Sequence, residues 1–216
     1  MTRILANLAA LCVLVLMVPP ALAQQAPAEV PGPPPQELMQ QAAQRMLDAL
    51  AVERETVKRD PARAKALVDE ILLPHFDTEY SARLVLGAHW RAATPAQRSR
   101  FVDAFYQSLL SKYGTALADF TADRMTMLPF RGDLSSGRAT VRTEVTTDDG
   151  TRVPVQYSMR ATPKGWKAWD VIIEGISYIK NFKDDIGAEV DGRGLEAVIA
   201  RLEAENAARS GGGGPA

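Results

Sequence analysis

Apolar residues follow a helical period in the first half of the chain. Between Gln36 and about Arg59 they recur every three or four positions among polar residues, which predicts an amphipathic helix. Asp60-Pro61 then supplies an N-cap and a first-turn proline for a second helix. Asp77 is placed to cap a third helix that ends at Gly87.

The next predicted helix begins at Thr94-Pro95 and continues to about Phe120. Its apolar stripe is broad, because large side chains flank the main helical repeat. So wide an apolar face must be mostly covered. The helix is therefore expected to pack inside the fold.

After Asp123 the apolar period becomes two, which is typical of strands with one buried face. Four strands are predicted around residues 125–127, 141–145, 153–159 and 169–173. Asp148-Asp149-Gly150 and Pro163-Lys164-Gly165 are short turn signals, so the sheet should be an antiparallel meander. Gly175 is expected to end the strands.

Helical patterning returns from about Tyr178 to Val190 and from Gly194 to Ala207, with a predicted break at Asp191-Gly192. Helices, then strands, then helices is the order of an α+β fold. We therefore expect a single domain over residues 36–207, with a four-stranded antiparallel sheet (residues 124–174) packed against helices.

The N-terminus has the features of a secretory signal. Arg3 precedes an apolar run from Ile4 to Val18, and Ala21-Leu22-Ala23 has the small residues that signal peptidase accepts. We predict a signal peptide at residues 1–23 cut after Ala23, a Pro-rich leader at 24–35 and a flexible Gly-rich tail at 208–216. The run is shorter than the roughly 20 residues that span a bilayer, so no stable membrane insertion is expected.

The charges are balanced, with 25 Lys and Arg against 26 Asp and Glu. No basic stripe is present that could neutralise phosphates, so nucleic acid is not an expected partner. The single cysteine, Cys12, lies in the predicted signal peptide. The remaining chain can form no disulfide, cysteine metal site or thiol nucleophile.

Candidate catalytic and metal-binding groups are sparse. His75 and His89 are fourteen residues apart and lack the spacing of a helical zinc pair, so a structural or surface role is expected for both. Asp170 and Glu174 lie on one predicted strand about 13 Å apart. That separation exceeds the range of about 5 to 9.5 Å for glycosidic carboxylate pairs, so solvent exposure or a structural hydrogen bond is expected. We predict no catalytic residue, metal or cofactor.

The apolar faces allow two interpretations. Large rings and flexible thioethers can fill a core or line an adaptable cavity. Periodicity reports which face is buried and not whether the space behind it is full, and on pattern alone a filled core is favoured.

A family resemblance changes that balance. Seven segments between about Leu67 and Leu202 resemble, in order, the MlaC family of periplasmic phospholipid-binding proteins, also described as toluene-tolerance auxiliary transport components. The segments are Leu72–Asp77, Leu84–Trp90, Ala93–Arg98, Phe101–Phe105, Tyr113-Gly114, Trp166–Tyr178 and Gly194–Ile199.

The resemblance implies a fold related to the NTF2-like and cystatin-like folds, with an apolar pocket for acyl chains between sheet and helices. It implies a carrier without enzyme activity that shuttles phospholipid across the periplasm and so maintains outer-membrane lipid asymmetry. Its expected partners are an outer-membrane lipoprotein complex and an inner-membrane ABC transporter with an MCE-domain subunit. The headgroup can stay in water at the mouth, so no cluster of charged ligands is required. An NTF2-like small-molecule enzyme and a ligand-free periplasmic adaptor are the alternatives.

We predict that the pocket is lined by inward residues of the strands and by one face of the helices, with Tyr113 and Val155 as the strongest candidates. The predicted lipid-binding set is Leu86, Phe101, Phe105, Leu109, Tyr113, Val141, Val145, Val153, Val155, Tyr157, Met159, Trp169, Val171 and Ile173.

Overall fold

The computed structural model describes residues 30–113, 124–147 and 149–211. The predicted signal peptide, residues 24–29 of the leader, the predicted end of the helix that begins at Thr94-Pro95, and residues 212–216 of the tail lie outside these residues. The described part contains seven α-helices and a five-stranded sheet.

The N-terminal helices begin where the capping residues predict. Helix α1 spans Pro35–Arg59, and α2 spans Pro61–Leu67 with the Asp60 carboxylate accepting from the N–H of Ala62 at 2.9 Å. The chain continues as a π-helical turn, Val68–Leu72, and a 3₁₀ turn, Leu73–His75. Helix α3 spans Thr78–Leu86, is capped by Asp77 and ends at Gly87, as predicted.

A short unpredicted helix, α4 (His89–Ala92), precedes α5, which spans Pro95–Tyr113. Thr94 and Gln97 form a reciprocal cap at the start of α5. The Gln97 N–H donates to Thr94 Oγ1 at 3.2 Å, and the Thr94 N–H donates to Gln97 Oε1 at 3.0 Å. This pairing satisfies two N–H groups that the helix leaves unbonded.

The strands are β1 (Met125–Met127), β2 (Arg138–Thr146), β3 (Arg152–Thr162), β4 (Gly165–Ile173) and β5 (Ile176–Ser177). They pair antiparallel in chain order, which confirms the meander and the predicted turn at Pro163-Lys164-Gly165. Of the turn predicted at Asp148-Asp149-Gly150, Asp148 lies outside the described residues. The count of four strands was wrong by one. Gly175, with φ of 82°, turns the chain into β5 rather than ending the sheet.

The last two helices are α6 (Tyr178–Arg193) and α7 (Leu195–Gly211). The predicted break at Asp191-Gly192 was wrong, because both residues remain helical. The helix instead ends at Gly194, whose φ of 82° is a conformation that glycine adopts without steric cost.

Three apolar clusters organise the domain. Helices α3, α5, α6 and α7 share one buried cluster. Helix α1 packs with α2 and the π-helical turn in a second cluster, and with the sheet in a third. Ion pairs tie the helices together, with Arg100 bonded to Glu203 and Arg201 bonded to Glu189, each at 2.7 Å. The fold therefore places α1 across one face of the sheet, apart from the helical cluster.

The segment before α1 fits closely against the turn between β3 and β4. Gly165 has φ of 100°, and a Cβ at this position would lie 2.8 Å from the carbonyl oxygen of Pro31. Only glycine allows this approach, which positions the start of α1 over the sheet. Among the described residues, none of the helices has the length and apolar character needed to cross a bilayer.

Candidate functional site

An apolar cavity of about 110 Å³ lies between α1 and the sheet. Among the described residues, its walls carry no charged side chain. The lining residues are Met39, Ala42, Ala43, Met46, Leu47, Leu50, Leu72, Phe76, Met125, Met127, Thr143 and Tyr157.

Helix α1 contributes half of the wall as a single stripe. Its six lining residues between Met39 and Leu50 recur at intervals of three and four, so they share one face of the helix. The positions between them, such as Gln44 and Asp48, are exposed. Two small residues, Ala42 and Ala43, lie in the middle of the stripe and leave space that larger side chains would occupy.

The sheet supplies the opposite wall. Met125 and Met127 lie on β1, while Thr143 and Tyr157 follow on β2 and β3. With the two methionines of α1, four of the twelve lining residues are thioethers. Methionine side chains adapt their shape at low cost, which suits a cavity that must change size.

In the part of the lining that the structure describes, the polar side-chain groups are two hydroxyls. Thr143 Oγ1 donates to the carbonyl oxygen of Val155 at 3.3 Å. Burial raises the pKa of Tyr157, and its hydrogen bond with Thr143 offsets part of that rise. The phenol is therefore neutral at physiological pH, and the lining offers no acid or base to a bound molecule.

The π-helical turn that carries Leu72 is fixed to α5. Tyr106 donates to Asp69 Oδ1 at 3.0 Å, and Lys65 Nζ lies 2.6 Å from the other oxygen of that carboxylate. Burial, together with the Asp69 charge, raises the pKa of Tyr106. Polar contacts therefore hold the wall that carries Leu72 in place. The α1 wall, in contrast, faces the cavity with Met, Ala and Leu side chains.

The predicted strand residues lie on the cavity side of the sheet with one exception. Tyr157 lines the cavity, and Val141 and Met159 are buried in the adjoining cluster with Met39. Val155 is also buried. The strand register puts four half-buried residues on the same face: Val145, Val153, Val171 and Ile173.

The exception is Trp169. A bulge in β4 places Ala168, not Trp169, opposite Met159, so the alternation that predicted an inward Trp169 is interrupted there. The Trp169 ring instead packs edge-on against Tyr80 of α3, with ring centroids 5.8 Å apart.

The predicted helical residues belong to a different cluster. Leu86, Phe101 and Phe105 are buried among α3, α5, α6 and α7, and Leu109 packs at the edge of that group. Phe101 and Phe105 stack with ring centroids 5.6 Å apart. Tyr113 ends the described part of α5, and its side chain lies outside the described residues.

Sequence reasoning did not select the α1 stripe, Leu72 or Phe76 as lining residues. The amphipathic pattern that predicts α1 already contained the signal, since Met46, Leu47 and Leu50 form its apolar face. Met125 and Met127 lie on the strand predicted at 125–127 but were not included in the predicted lipid-binding set.

The candidate carboxylates are structural. Asp170 is buried and accepts from Ser177 Oγ at 2.7 Å and from the N–H of Ile179 at 3.1 Å, which anchors the start of α6. Glu174 was wrongly assigned to the same strand: it follows β4 in an exposed turn with φ of 52°. His89 lies 3.3 Å from Asp191 on the surface. Within residues 30–113, 124–147 and 149–211, no three His, Cys, Asp or Glu residues cluster as metal ligands.

This architecture defines a class of α+β proteins in which a long amphipathic helix and an antiparallel sheet enclose a small apolar cavity. The chain belongs to the MlaC protein family, whose family model matches residues 40–204.

Relatives support this membership over most of the chain. The toluene tolerance protein ttg2D of Pseudomonas putida is 29% identical over 184 residues, which cover 80% of this chain and 85% of that protein. The intermembrane phospholipid transport system binding protein MlaC of Haemophilus influenzae is 23% identical over 173 residues, covering 78% and 80%.

A solved structure shares the fold. It is the phospholipid-binding protein from Ralstonia solanacearum in complex with a phospholipid, at a TM-score of 0.75 and 24% identity. The alignment covers 81% of this chain and 98% of that one. The likeness confirms the α+β arrangement of an antiparallel sheet packed against helices.

Proposed function

We propose that this protein is a periplasmic phospholipid carrier without enzyme activity, secreted through the signal peptide at residues 1–23. It binds acyl chains between α1 and the sheet. It shuttles lipid between an outer-membrane lipoprotein complex and an inner-membrane ABC transporter with an MCE-domain subunit. The observation that carries this proposal is the uncharged, methionine-rich cavity in a chain of the MlaC family.

The energetics explain why a carrier is needed. Two acyl chains contain about 30 methylenes, and at roughly 0.8 kcal/mol each their exposure to water costs on the order of 20 kcal/mol. A cavity with no charged group in its wall can bury such chains without desolvating an ion.

The cavity must widen to do so. Its volume of about 110 Å³ is below the roughly 150 Å³ of a cavity that accommodates one benzene ring. Widening is expected where α1 faces the sheet, because the contacts there are apolar and the side chains flexible. The half-buried valine and isoleucine residues on the same sheet face extend the apolar surface along which chains can lie.

The test is native mass spectrometry of residues 24–216 after secretion, followed by organic extraction. We expect about one phospholipid per protein, lost on delipidation and regained from vesicles. A ligand-free protein that takes no lipid from vesicles would favour the adaptor alternative. Turnover of a small molecule with a bell-shaped pH profile would favour the enzyme alternative.

Transport requires a second assay. Delipidated protein is incubated with donor vesicles that carry a labelled phospholipid and with acceptor vesicles that contain the ABC transporter and its MCE-domain subunit. We expect transfer that depends on both the protein and that complex. Equal transfer to protein-free acceptors would contradict the proposed route.

A further inference from the structure

Three basic side chains lie around residues 72–76, which include the cavity-lining residues Leu72 and Phe76. Arg45 follows the cavity-lining stripe on α1, and His75 directly precedes the lining residue Phe76. Lys167 precedes Ala168, which forms a parallel bridge with Phe76. Lys167 starts from the sheet face opposite Ala168, and its side chain reaches round the edge of β4 to Pro74. These three residues, the rim cluster, therefore lie around residues 72–76 at that edge.

Contacts in the structure hold the rim cluster together. Lys167 Nζ donates to the carbonyl oxygen of Pro74, which leaves two of its N–H groups available. Helix α1 packs against the 3₁₀ turn that ends at His75. Burial lowers the pKa of His75, and the strongest charges acting on it are those of Lys167 and Arg45.

The cluster is positive, and the described residues give it no carboxylate partner. Within the part of the chain that the structure describes, neither Arg45 nor Lys167 forms an ion pair. The nearby carboxylate of Asp77 is instead paired with Arg160 at 3.1 Å. Like charges held close together without a counter-ion are unfavourable unless an anion joins them.

We propose that Arg45, His75 and Lys167 bind the phosphate of a phospholipid whose acyl chains occupy the cavity. This inference rests on the proposed function. The guanidinium presents a fork of N–H donors that matches phosphate oxygens, and the ammonium supplies a compact charge. Neutral His75 donates one ring N–H without adding a charge. The ligand class is a phosphodiester, shared by zwitterionic and anionic phospholipids.

The proposal changes the expectation that a headgroup at the mouth needs no charged ligands. The sequence does not display the cluster, because its members come from a helix, a 3₁₀ turn and a strand far apart in the chain. The pairing of Phe76 with Ala168 and the bond from Lys167 to Pro74 bring two of the three segments together.

The first test compares phosphatidylglycerol with diacylglycerol that has the same acyl chains. In the double variant Arg45→Gln/Lys167→Gln, we expect phosphatidylglycerol affinity to fall about tenfold or more, because charge-assisted hydrogen bonds are lost. Diacylglycerol affinity should stay unchanged. The matched control is Arg54→Gln/Lys180→Gln, which removes one arginine of α1 and an exposed lysine of α6 and should alter neither affinity.

The outcomes separate the two proposals. If wild type binds neither lipid, the proposed function fails. If it binds both lipids and the double variant keeps the wild-type preference for phosphatidylglycerol, only the phosphate site is refuted. Loss of affinity for both lipids in the variant would also overturn the site, since the cations would then support the fold rather than the phosphate.

The second test uses the fact that the chain has two histidines. In NMR titrations, bound phosphatidylglycerol should raise the pKa of His75, because a nearby anion favours the protonated ring. His89, which faces Asp191, serves as the internal control. An equal response of His75 to millimolar inorganic phosphate alone would assign the cluster to a free anion and overturn the lipid assignment. A response to lipid only would support it.

Discussion

Filling the cavity should stabilise the protein and abolish its lipid binding at the same time. Ala43 is half-buried at the centre of the α1 stripe, so Ala43→Leu directs three further carbons into the cavity. At about 24 cal/mol per Å³, a void of about 110 Å³ costs the fold about 2.6 kcal/mol. We therefore expect the free energy of unfolding of delipidated Ala43→Leu to rise by about 1–2 kcal/mol, because the new side chain fills only part of the void.

The assay has two readouts. Urea denaturation of delipidated protein gives the free energy of unfolding, and extraction after secretion gives the lipid content. Delipidation matters because a ligand that binds only the folded state adds to apparent stability. The control is Ala51→Leu, the same change at an exposed position of α1, for which both readouts should stay at wild-type values within about 0.5 kcal/mol.

Two results would refute this reasoning. Wild-type lipid content in Ala43→Leu would show that the acyl chains lie elsewhere. A loss of stability by about 1–3 kcal/mol would indicate overpacking of an already filled core. A charge at Val155 is a poorer test, because this residue is only 7% exposed and an unpaired buried charge would disrupt the fold itself.

Three further predictions concern the scaffold. Gly165→Ala should destabilise the protein by about 1–3 kcal/mol in urea denaturation, since its Cβ would collide with the carbonyl oxygen of Pro31. The control is Gly150→Ala, which also has a positive φ but no atom within 4 Å of the new Cβ, and should cost less. Asp170→Asn should lower the free energy of unfolding by about 1–3 kcal/mol, because it weakens the hydrogen bonds that the carboxylate accepts from Ser177 of β5 and Ile179 of α6. The lipid content of the folded fraction should stay unchanged. Because the pKa of His75 is lowered in the folded state, the unfolded chain binds this proton more readily, so stability should fall as the pH drops below about 6.5. His75→Gln should remove that part of the pH dependence, and an unchanged profile would contradict it.

The fold was predictable where a local pattern decides the structure. Caps such as Asp60-Pro61 and Asp77 depend on one side chain and its own turn, and the strand alternation reflects one buried face. The bulge at Trp169 was not predictable, because it depends on how β3 and β4 pair rather than on β4 itself. The end of α6 likewise depended on which of two nearby glycines adopts a positive φ.

The cavity was less predictable than the fold. Alternation identified the sheet face that carries Tyr157, but the partner of that face is α1 rather than the aromatic stripe of α5. Both helices are amphipathic, and periodicity alone does not say which apolar face meets which. The aromatic stripe was the more hydrophobic of the two, and it forms the helical core instead.

The composition of the α1 wall has a consequence for how lipid would enter and leave. Exposing its four large side chains to water would cost about 6–12 kcal/mol at roughly 1.5–3 kcal/mol each, so α1 does not separate from the sheet on its own. When acyl chains replace the sheet as the neighbour of α1, that cost does not arise, because one apolar contact is exchanged for another. Under the proposed function, opening would then be coupled to the presence of lipid. The return of α1 to the sheet would compensate part of the free energy lost when the chains depart, so that one protein could both accept and release phospholipid.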